Sequence, residues 1–323
     1  MKVLVTGASG FLGRAVAARI AQAGHEVTTL QRRPSGVLGV RDVGGSVTDA
    51  AVVARATQGQ DAVVHLAAKV SLAGEAAEFA RVNVEGTRRL LEAARAAGVQ
   101  RFVQVSSPSV AHLGRSLVGV GAEPADPEGA RGHYARTKAA AELLALSYDS
   151  PELAVLAVRP HLVWGPGDPQ LVARIVDRAR RRRLPLLDQG AALIDSTYVD
   201  NAAGAMLAAV ERADVAHGRA LVVTNGEPRP VAELLGGMCR AAGVPVPSWR
   251  VPGALARAVG GAVERVWAVR PGRDEPPMTR FLAEQLSTAH WFDQRETRAA
   301  LSWQPRVSIE EGMVRLAQHY GEG

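Results

Sequence analysis

The chain has 323 residues, 47% of them hydrophobic, a formal net charge of +6 and a pI near 10.0, enough for one large domain and a smaller lobe. It contains no uninterrupted apolar run of about eighteen residues and runs from Met1 straight into a strand, without a basic leader or a small-residue cleavage site, so a cytoplasmic location is expected. One cysteine, Cys239, excludes an intrachain disulfide, and the eight histidines fall into no zinc spacing, so no metal is expected. The basic residues are spread along the chain, which argues against nucleic acid; the exception is Arg180–Arg183, read as a solvated helix end, with a phosphate or acidic-lipid contact as the sharper alternative.

In chain order, apolar strand patterns at Lys2–Thr6, Glu26–Leu30, Ala62–Leu66, Arg101–Ser106 and Ala154–Arg159 alternate with helical patterns at Phe11–Ala23, Asp49–Thr57, Glu75–Ala97, Tyr134–Ser147 and Gln170–Arg182. That rhythm predicts an α/β fold, a Rossmann-type doubly wound parallel sheet over residues 1–160. Beyond Pro160, proline-rich loops and helices at Asn201–Arg212, Val231–Ala242 and Ile309–His319 predict a smaller substrate-binding lobe over 161–323, with some segments returning to the first domain.

Gly7, Gly10 and Gly13 stand between the first strand and the first helix. Gly7 permits the tight turn, Gly10 lets backbone approach a pyrophosphate, and Gly13 lets the helix close on the sheet; the first-turn N–H groups then face the phosphates. Strand before and amphipathic helix behind make this a dinucleotide clamp rather than an ordinary glycine-rich turn. Further on, Tyr134 and Lys138 lie four residues apart in a helical segment and so share a face. An ammonium beside a phenol is expected to lower the tyrosine pKa from about 10 toward the range of a general acid/base. Ser106 and Ser107 end a strand at the same sheet edge; one hydroxyl there could hold a substrate carbonyl oxygen while the other serves as a turn or cap residue.

With Thr6–Gly13, Asp61–Ala68, Asn83–Thr87, Ser106-Ser107, Tyr134–Lys138 and Arg159-Pro160 in this order, the chain resembles the extended short-chain dehydrogenases/reductases over nearly its whole length. The resemblance implies Ser107 as the carbonyl-orienting hydroxyl, Tyr134 as proton donor and acceptor, Lys138 as its tuner and as ligand of the nicotinamide ribose, and Asn83 as a positioning residue. It implies a cofactor site drawn from Gly7, Ser9, Gly10, Phe11, Leu12, Gly13, Gln31, Arg32, Arg33, Ser46, Val47, Leu66, Ala67, Ala68, Tyr134, Lys138 and Pro160. His65 lies in a segment that passes under the cofactor in that family, and a buried histidine satisfied by backbone is the competing reading. Leu193–Asn201, Val223–Pro228 and the stretch from Phe292 to Gly312 look like the 3β-hydroxysteroid dehydrogenase branch, with its 2-alkyl-3-oxoalkanoate reductases. Asp200 reads as a cap or dipole partner of the helix that follows.

After the second strand, where an acid would bind the adenosine 2′-hydroxyl, stand Gln31, Arg32 and Arg33. Two guanidinium groups suit a 2′-phosphate, so NADP(H) is favoured over NAD(H). Ser46 replaces an acid that in the family contacts adenine. Leu162, Val163, Trp164, Leu171, Leu184, Leu186 and Leu187, with Leu255, Val259, Val263, Val266 and Trp267 on the stretch Val251–Val269, read either as a lipophilic cleft wall or as core. Arg257, Glu264, Arg265 and Arg270 make that stretch too charged to span a bilayer, though an interfacial contact stays open. The function expected is reduction of a lipophilic ketone or oxidation of the alcohol. A nucleotide-sugar epimerase or dehydratase, whose diphosphate Arg174 and Arg180–Arg183 could hold, is second, and a non-catalytic NADP-sensing protein third. A homodimer is left open.

Overall fold

The computed structural model of the protein describes residues 1–71, 74–112, 114–269 and 280–321, without the side chains of 264–269 and 280–282. Seven parallel strands form its main sheet: β1 (Lys2–Thr6), β2 (Glu26–Gln31), β3 (Arg41–Gly44), β4 (Ala62–His65), β5 (Arg101–Val105), β6 (Ala154–Pro160) and β7 (Ala220–Val223). Their spatial order is β7-β6-β5-β4-β1-β2-β3, so the winding reverses between β1 and β4, where ligands of such sheets bind at the carboxyl edge.

Side-chain alternation along the strands explains the two covered faces. Val3 and Val5 of β1 join Val64, Val103 and Val158 in a core capped by Val16 and Ile20 of the first helix and Met206 and Val210 of helix Val199–Glu211. Leu4, Val63, Phe102 and Val155 point the other way, into a core closed by Val53, Leu90, Leu91 and Ala145. Strands β3 and β7 carry too few apolar residues, or lie too far along the chain, to stand out from sequence, yet they complete the two edges. Helix Val199–Glu211 and β7 both lie beyond residue 160, so the chain crosses back into the sheet domain after building part of the lobe.

The predicted helix Glu75–Ala97 is helical over 76–96 but holds a π-turn at Ala80–Glu85. Such an extra residue per turn recurs at functional sites, and Asn83 lies in this one. The lobe has its own core of Trp164, Ile175, Val231, Leu235, Met238, Ile309 and Leu316. A four-stranded sheet of Arg229–Pro230, Leu193–Ile194, His290–Phe292 and Leu117–Val120 joins the lobe to the segment following β5. Asp200 is not the cap residue of its helix; it sits in the first turn, where its charge faces the dipole's positive end and pairs with Arg315 at 3.0 Å.

Candidate active site

The glycine turn has the shape the sequence calls for. Gly7 takes φ +78°, and a Cβ there would stand 2.9 Å from the Ala67 nitrogen, so the turn lies directly against the backbone leaving β4. A Cβ on Gly13 would come within 2.2 Å of the Gly7 carbonyl oxygen, and one on Gly10 within 3.3 Å of the same atom. No side chain caps the helix that starts at Phe11, which leaves its first-turn donors for an anion. Ser9, Phe11, Leu12, Leu66, Ala67 and Ala68 are half-buried around this cradle, and Val47 is buried beneath Gly86. The turn suits a pyrophosphate because glycines alone let its backbone close this tightly, a Cβ at Gly7 or Gly13 striking neighbouring backbone, and the uncapped first turn of the helix offers N–H donors.

A directional chain of hydrogen bonds runs from the glycine strand to Asn83. The Thr6 hydroxyl accepts from the Ala67 N–H at 3.1 Å and donates to His65 Nδ1 at 2.7 Å. His65 Nε2 therefore carries the ring hydrogen and donates to Thr87 Oγ1 at 2.9 Å, whose hydroxyl donates to the Asn83 carbonyl at 2.7 Å. Burial pushes His65 down to about 3, with Lys138 adding to the effect, so the ring is a neutral spacer. Its partners are two threonine hydroxyls rather than backbone, an arrangement the sequence reading did not foresee.

Asn83 itself accepts from the Lys69 N–H at 2.7 Å and donates to the Lys69 carbonyl at 3.2 Å and to Thr137 Oγ1 at 3.0 Å. It thereby pins the β4 exit to the helix Gly132–Leu146 that carries Tyr134 and Lys138. On that helix Lys138 is buried and donates to the Val105 carbonyl at 2.5 Å, two residues before Ser107. The same helix packs on the short 3-10 turn Pro108–Ala111 that Ser107 opens. Lys138 and Asn83 are thus tied to the elements bearing Ser107 and Tyr134.

Of the two serines, Ser107 is the cap: its Oγ accepts from the Ser109 N–H at 3.3 Å and from the Ser109 hydroxyl at 3.0 Å. Both bonds are accepted, so the single Ser107 hydroxyl hydrogen is left to donate. Ser106 is buried. The expected lowering of the tyrosine is not what the structure shows. Burial pushes Tyr134 up to about 12 and Lys138 down to about 8, because desolvation opposes charge on both groups. Glu142, one turn beyond Lys138, partly holds the lysine's charge and is itself clamped by Arg159 through bonds of 2.9 and 2.5 Å. The Glu142–Arg159 pair joins residues 17 apart on a helix and a strand and has no local signal in the sequence.

At the end of β2, Gln31 is buried and donates to Thr29 Oγ1 at 2.9 Å and to Asp42 Oδ1 at 3.1 Å. Asp42 also accepts from the Thr29 hydroxyl and the Ser35 N–H. Its pKa is lowered by these bonds, net of an opposing desolvation. Arg32 and Arg33 are exposed. Arg14, which motif reading passed over, reaches within 3.8 Å of where a Gly36 side chain would begin. Ser46 bonds Thr48 Oγ1 at 2.9 Å, and Pro160 is buried at the end of β6.

The lipophilic stripes resolve differently from one another. Trp164, Leu184 and Leu186 belong to the lobe core, with Leu162, Val163 and Leu171 packed against it, and Leu187 to a small neighbouring cluster. Core packing accounts for all of them. Leu255 and Val259 are exposed instead, while the side chains of Glu264, Arg265, Val266 and Trp267, and the whole of Arg270, lie outside the described residues. Cys239 is buried on helix Val231–Ala241.

A parallel doubly wound sheet, a glycine cradle at its switch point and a Tyr/Lys helix pinned beside a serine define a nicotinamide-dinucleotide enzyme of the Rossmann class. The chain belongs to the NAD dependent epimerase/dehydratase family, whose sequence profile matches residues 3–224. It is 41% identical to a 2-alkyl-3-oxoalkanoate reductase of Stenotrophomonas maltophilia (strain K279a), over 98% of both chains. It is 30% identical to a 3-beta-hydroxysteroid dehydrogenase of Mycolicibacterium neoaurum, over 99% of this chain and 91% of that one. Among solved structures it matches MoeE5 in complex with UDP-glucuronic acid and NAD, with a TM-score of 0.74 and 26% identity over 100% of this chain and 99% of that one. The chain is accordingly an oxidoreductase acting on CH–OH groups.

Proposed function

We propose that the protein is an NADP(H)-dependent ketoreductase of lipophilic 3-oxo acyl compounds, 2-alkyl-3-oxoalkanoates foremost, which also oxidises the corresponding secondary alcohols, 3β-hydroxysteroid-like ones among them. The observation that carries this reading is the pinning of the Tyr134/Lys138 helix by Lys138 to Val105 and by Asn83 to Thr137, in a chain 41% identical to a reductase of that name. The glycine cradle and Gln31 would hold the dinucleotide, which when bound supplies hydride to the ketone carbon. Tyr134, neutral at pH 7 as any phenol is and held so to still higher pH by burial that raises its pKa to about 12, gives its phenolic proton to the ketone oxygen. Ser107 donates its free hydrogen to that oxygen and fixes its direction. Lys138, charged below about 8, steadies the phenolate left behind, and its ammonium is the group to hold the nicotinamide ribose.

Arg32, Arg33 and Arg14 together favour a 2′-phosphate over a free hydroxyl. Replacing Arg32 and Arg33 by alanine is expected to weaken NADPH binding far more than NADH binding in a titration; equal weakening removes the case for NADP(H). The reaction class is tested by following NADPH consumption against a panel of 2-alkyl-3-oxoalkanoates and of UDP- and dTDP-sugars. Net oxidation of NADPH with the oxo acids alone supports the proposal. Conversion of a sugar nucleotide with the cofactor returned unchanged defeats it.

A further inference from the structure

The Arg180–Arg183 run plays no part in the site described, and the structure gives it a setting. Helix Leu171–Arg180 ends in this run. The chain then enters Leu186–Leu187, which pairs in parallel with Arg250–Val251, and the Leu186 N–H donates to the Trp249 carbonyl at 3.0 Å. The pairing brings four exposed arginines alongside an exposed tryptophan and a fifth exposed arginine, Arg250. Between them lies a groove of about 300 Å³ whose lining includes Leu184, Val246, Pro247 and Trp249, with Arg182 on its wall.

Helix Gly253–Val269 continues this surface. Gly253, Ala256 and Gly260 are buried against the body of the protein, whereas Ala254, Leu255, Ala258, Val259 and Ala262 are exposed. Those five positions fall at i, i+1, i+4, i+5 and i+8, one stripe of a helix, and every residue on it is apolar. Leu255 is 55% exposed, Val259 48%, Trp249 49% and Val246 47%. Across 178–187 and 244–263 the sequence has no aspartate or glutamate and seven arginines. Asp177 and Asp188, the acids just before and just after the first of these segments, are engaged: Asp177 pairs with Arg181 at 2.9 Å, and Asp188 accepts from the Gly253 N–H at 2.7 Å; Glu264 directly follows the second segment.

We propose that these two segments form a docking surface for an anionic phospholipid bilayer. An apolar helix stripe flanked by tryptophan and arginine, with no acid on the stripe itself, is the composition that lies in a membrane interface: the stripe and indole enter the acyl boundary while the guanidinium groups meet phosphates. Among the described residues no helix is long and apolar enough to cross a membrane, so the contact is peripheral. The charge complementarity selects acidic lipid over a neutral surface and over a second copy of this basic chain. The inference stands apart from which ketone the enzyme reduces.

The test is co-sedimentation of the full chain with sucrose-loaded vesicles of phosphatidylcholine alone and of phosphatidylcholine with 30 mol% phosphatidylglycerol. Binding to the acidic vesicles is expected, weakening by about tenfold or more when salt is raised or when Arg182→Glu and Arg183→Glu are combined. Leu255→Glu with Val259→Glu is expected to abolish it. Both double variants should keep the parent's melting temperature and its NADPH affinity, since neither pair touches the site. Absence of binding to acidic vesicles, or equal binding to neutral ones, overturns the proposal. So does loss of self-association in Leu255→Glu/Val259→Glu, by sedimentation velocity, without any vesicle binding by the parent, which would make the stripe a contact between copies.

Discussion

Replacing Glu142 by glutamine would isolate the buried charge that supports the site. Glu142 and Arg159 have side chains 1% and 2% exposed, and the guanidinium also donates to the Glu123 carbonyl at 2.6 Å. Removing one partner of such a pair leaves the other ion uncompensated in a low-dielectric interior, which costs about 3–5 kcal/mol. With an unfolding entropy of about 2.1 cal/mol/K per residue, a chain of 323 residues should lose about 4–7 °C in melting temperature. Differential scanning calorimetry at pH 7 reads this directly. Glutamine keeps the shape and part of the hydrogen bonding, so the loss reports charge rather than packing. A compensating double variant, Glu142→Met with Arg159→Met, removes both ions and should regain much of the stability. A glutamine variant melting within about 1 °C of the parent would refute the claim that this pair is buried and mutually dependent.

The remaining expectations concern the cofactor cradle and the reacting groups. Gly13→Ala puts a methyl group 2.2 Å from the Gly7 carbonyl oxygen, so dinucleotide affinity should fall by about a hundredfold or more in a fluorescence titration, because backbone rather than a flexible side chain must move; unchanged affinity would show that the turn does not carry the phosphates. With Tyr134 protonated up to about 12 and Lys138 charged up to about 8, kcat for ketone reduction should be level between about pH 6 and 7 and decline above about pH 8; a rate rising through pH 8 contradicts the assignment of a charged lysine. The same lysine fixes a sign for stability. Its folded pKa lies below the ordinary 10.5, so its burial cost is present below about 8 and is relieved as pH rises toward 10.5. Lys138→Met should therefore lose turnover without losing melting temperature at pH 7, and a large fall in melting temperature would mark the lysine as structural.

Motifs whose chemistry is local were legible in the chain alone. The glycine turn, five of the seven sheet strands and the Tyr/Lys face all rest on spacing within a few residues, and each stands where its periodicity put it. What escaped depends on contacts between distant segments. Asn83 could be singled out by resemblance, but its bridge from Lys69 to Thr137 spans three elements, and the π-turn that presents it has no sequence signature. The tyrosine's direction of shift was misjudged because an i, i+4 neighbour suggests a Coulombic aid, while the desolvation that prevails depends on how much of the fold closes over both groups. Leu255 and Val259 carry a helical period that fits a buried face equally well; only the packing of Gly253, Ala256 and Gly260 shows which side is inward. Short strands such as Arg41–Gly44, with two charged positions, one glycine and a single apolar residue, Val43, are recruited to the sheet by their neighbours rather than by their own composition.

The central claim is that the Tyr134 hydroxyl delivers the proton to the substrate oxygen, and Tyr134→Phe tests it with one atom removed. Single-turnover reduction of a 2-alkyl-3-oxoalkanoate by enzyme-bound NADPH should slow by about 100-fold or more, with NADPH dissociation unchanged within about twofold. Turnover at the parent's rate in the phenylalanine variant would contradict the account.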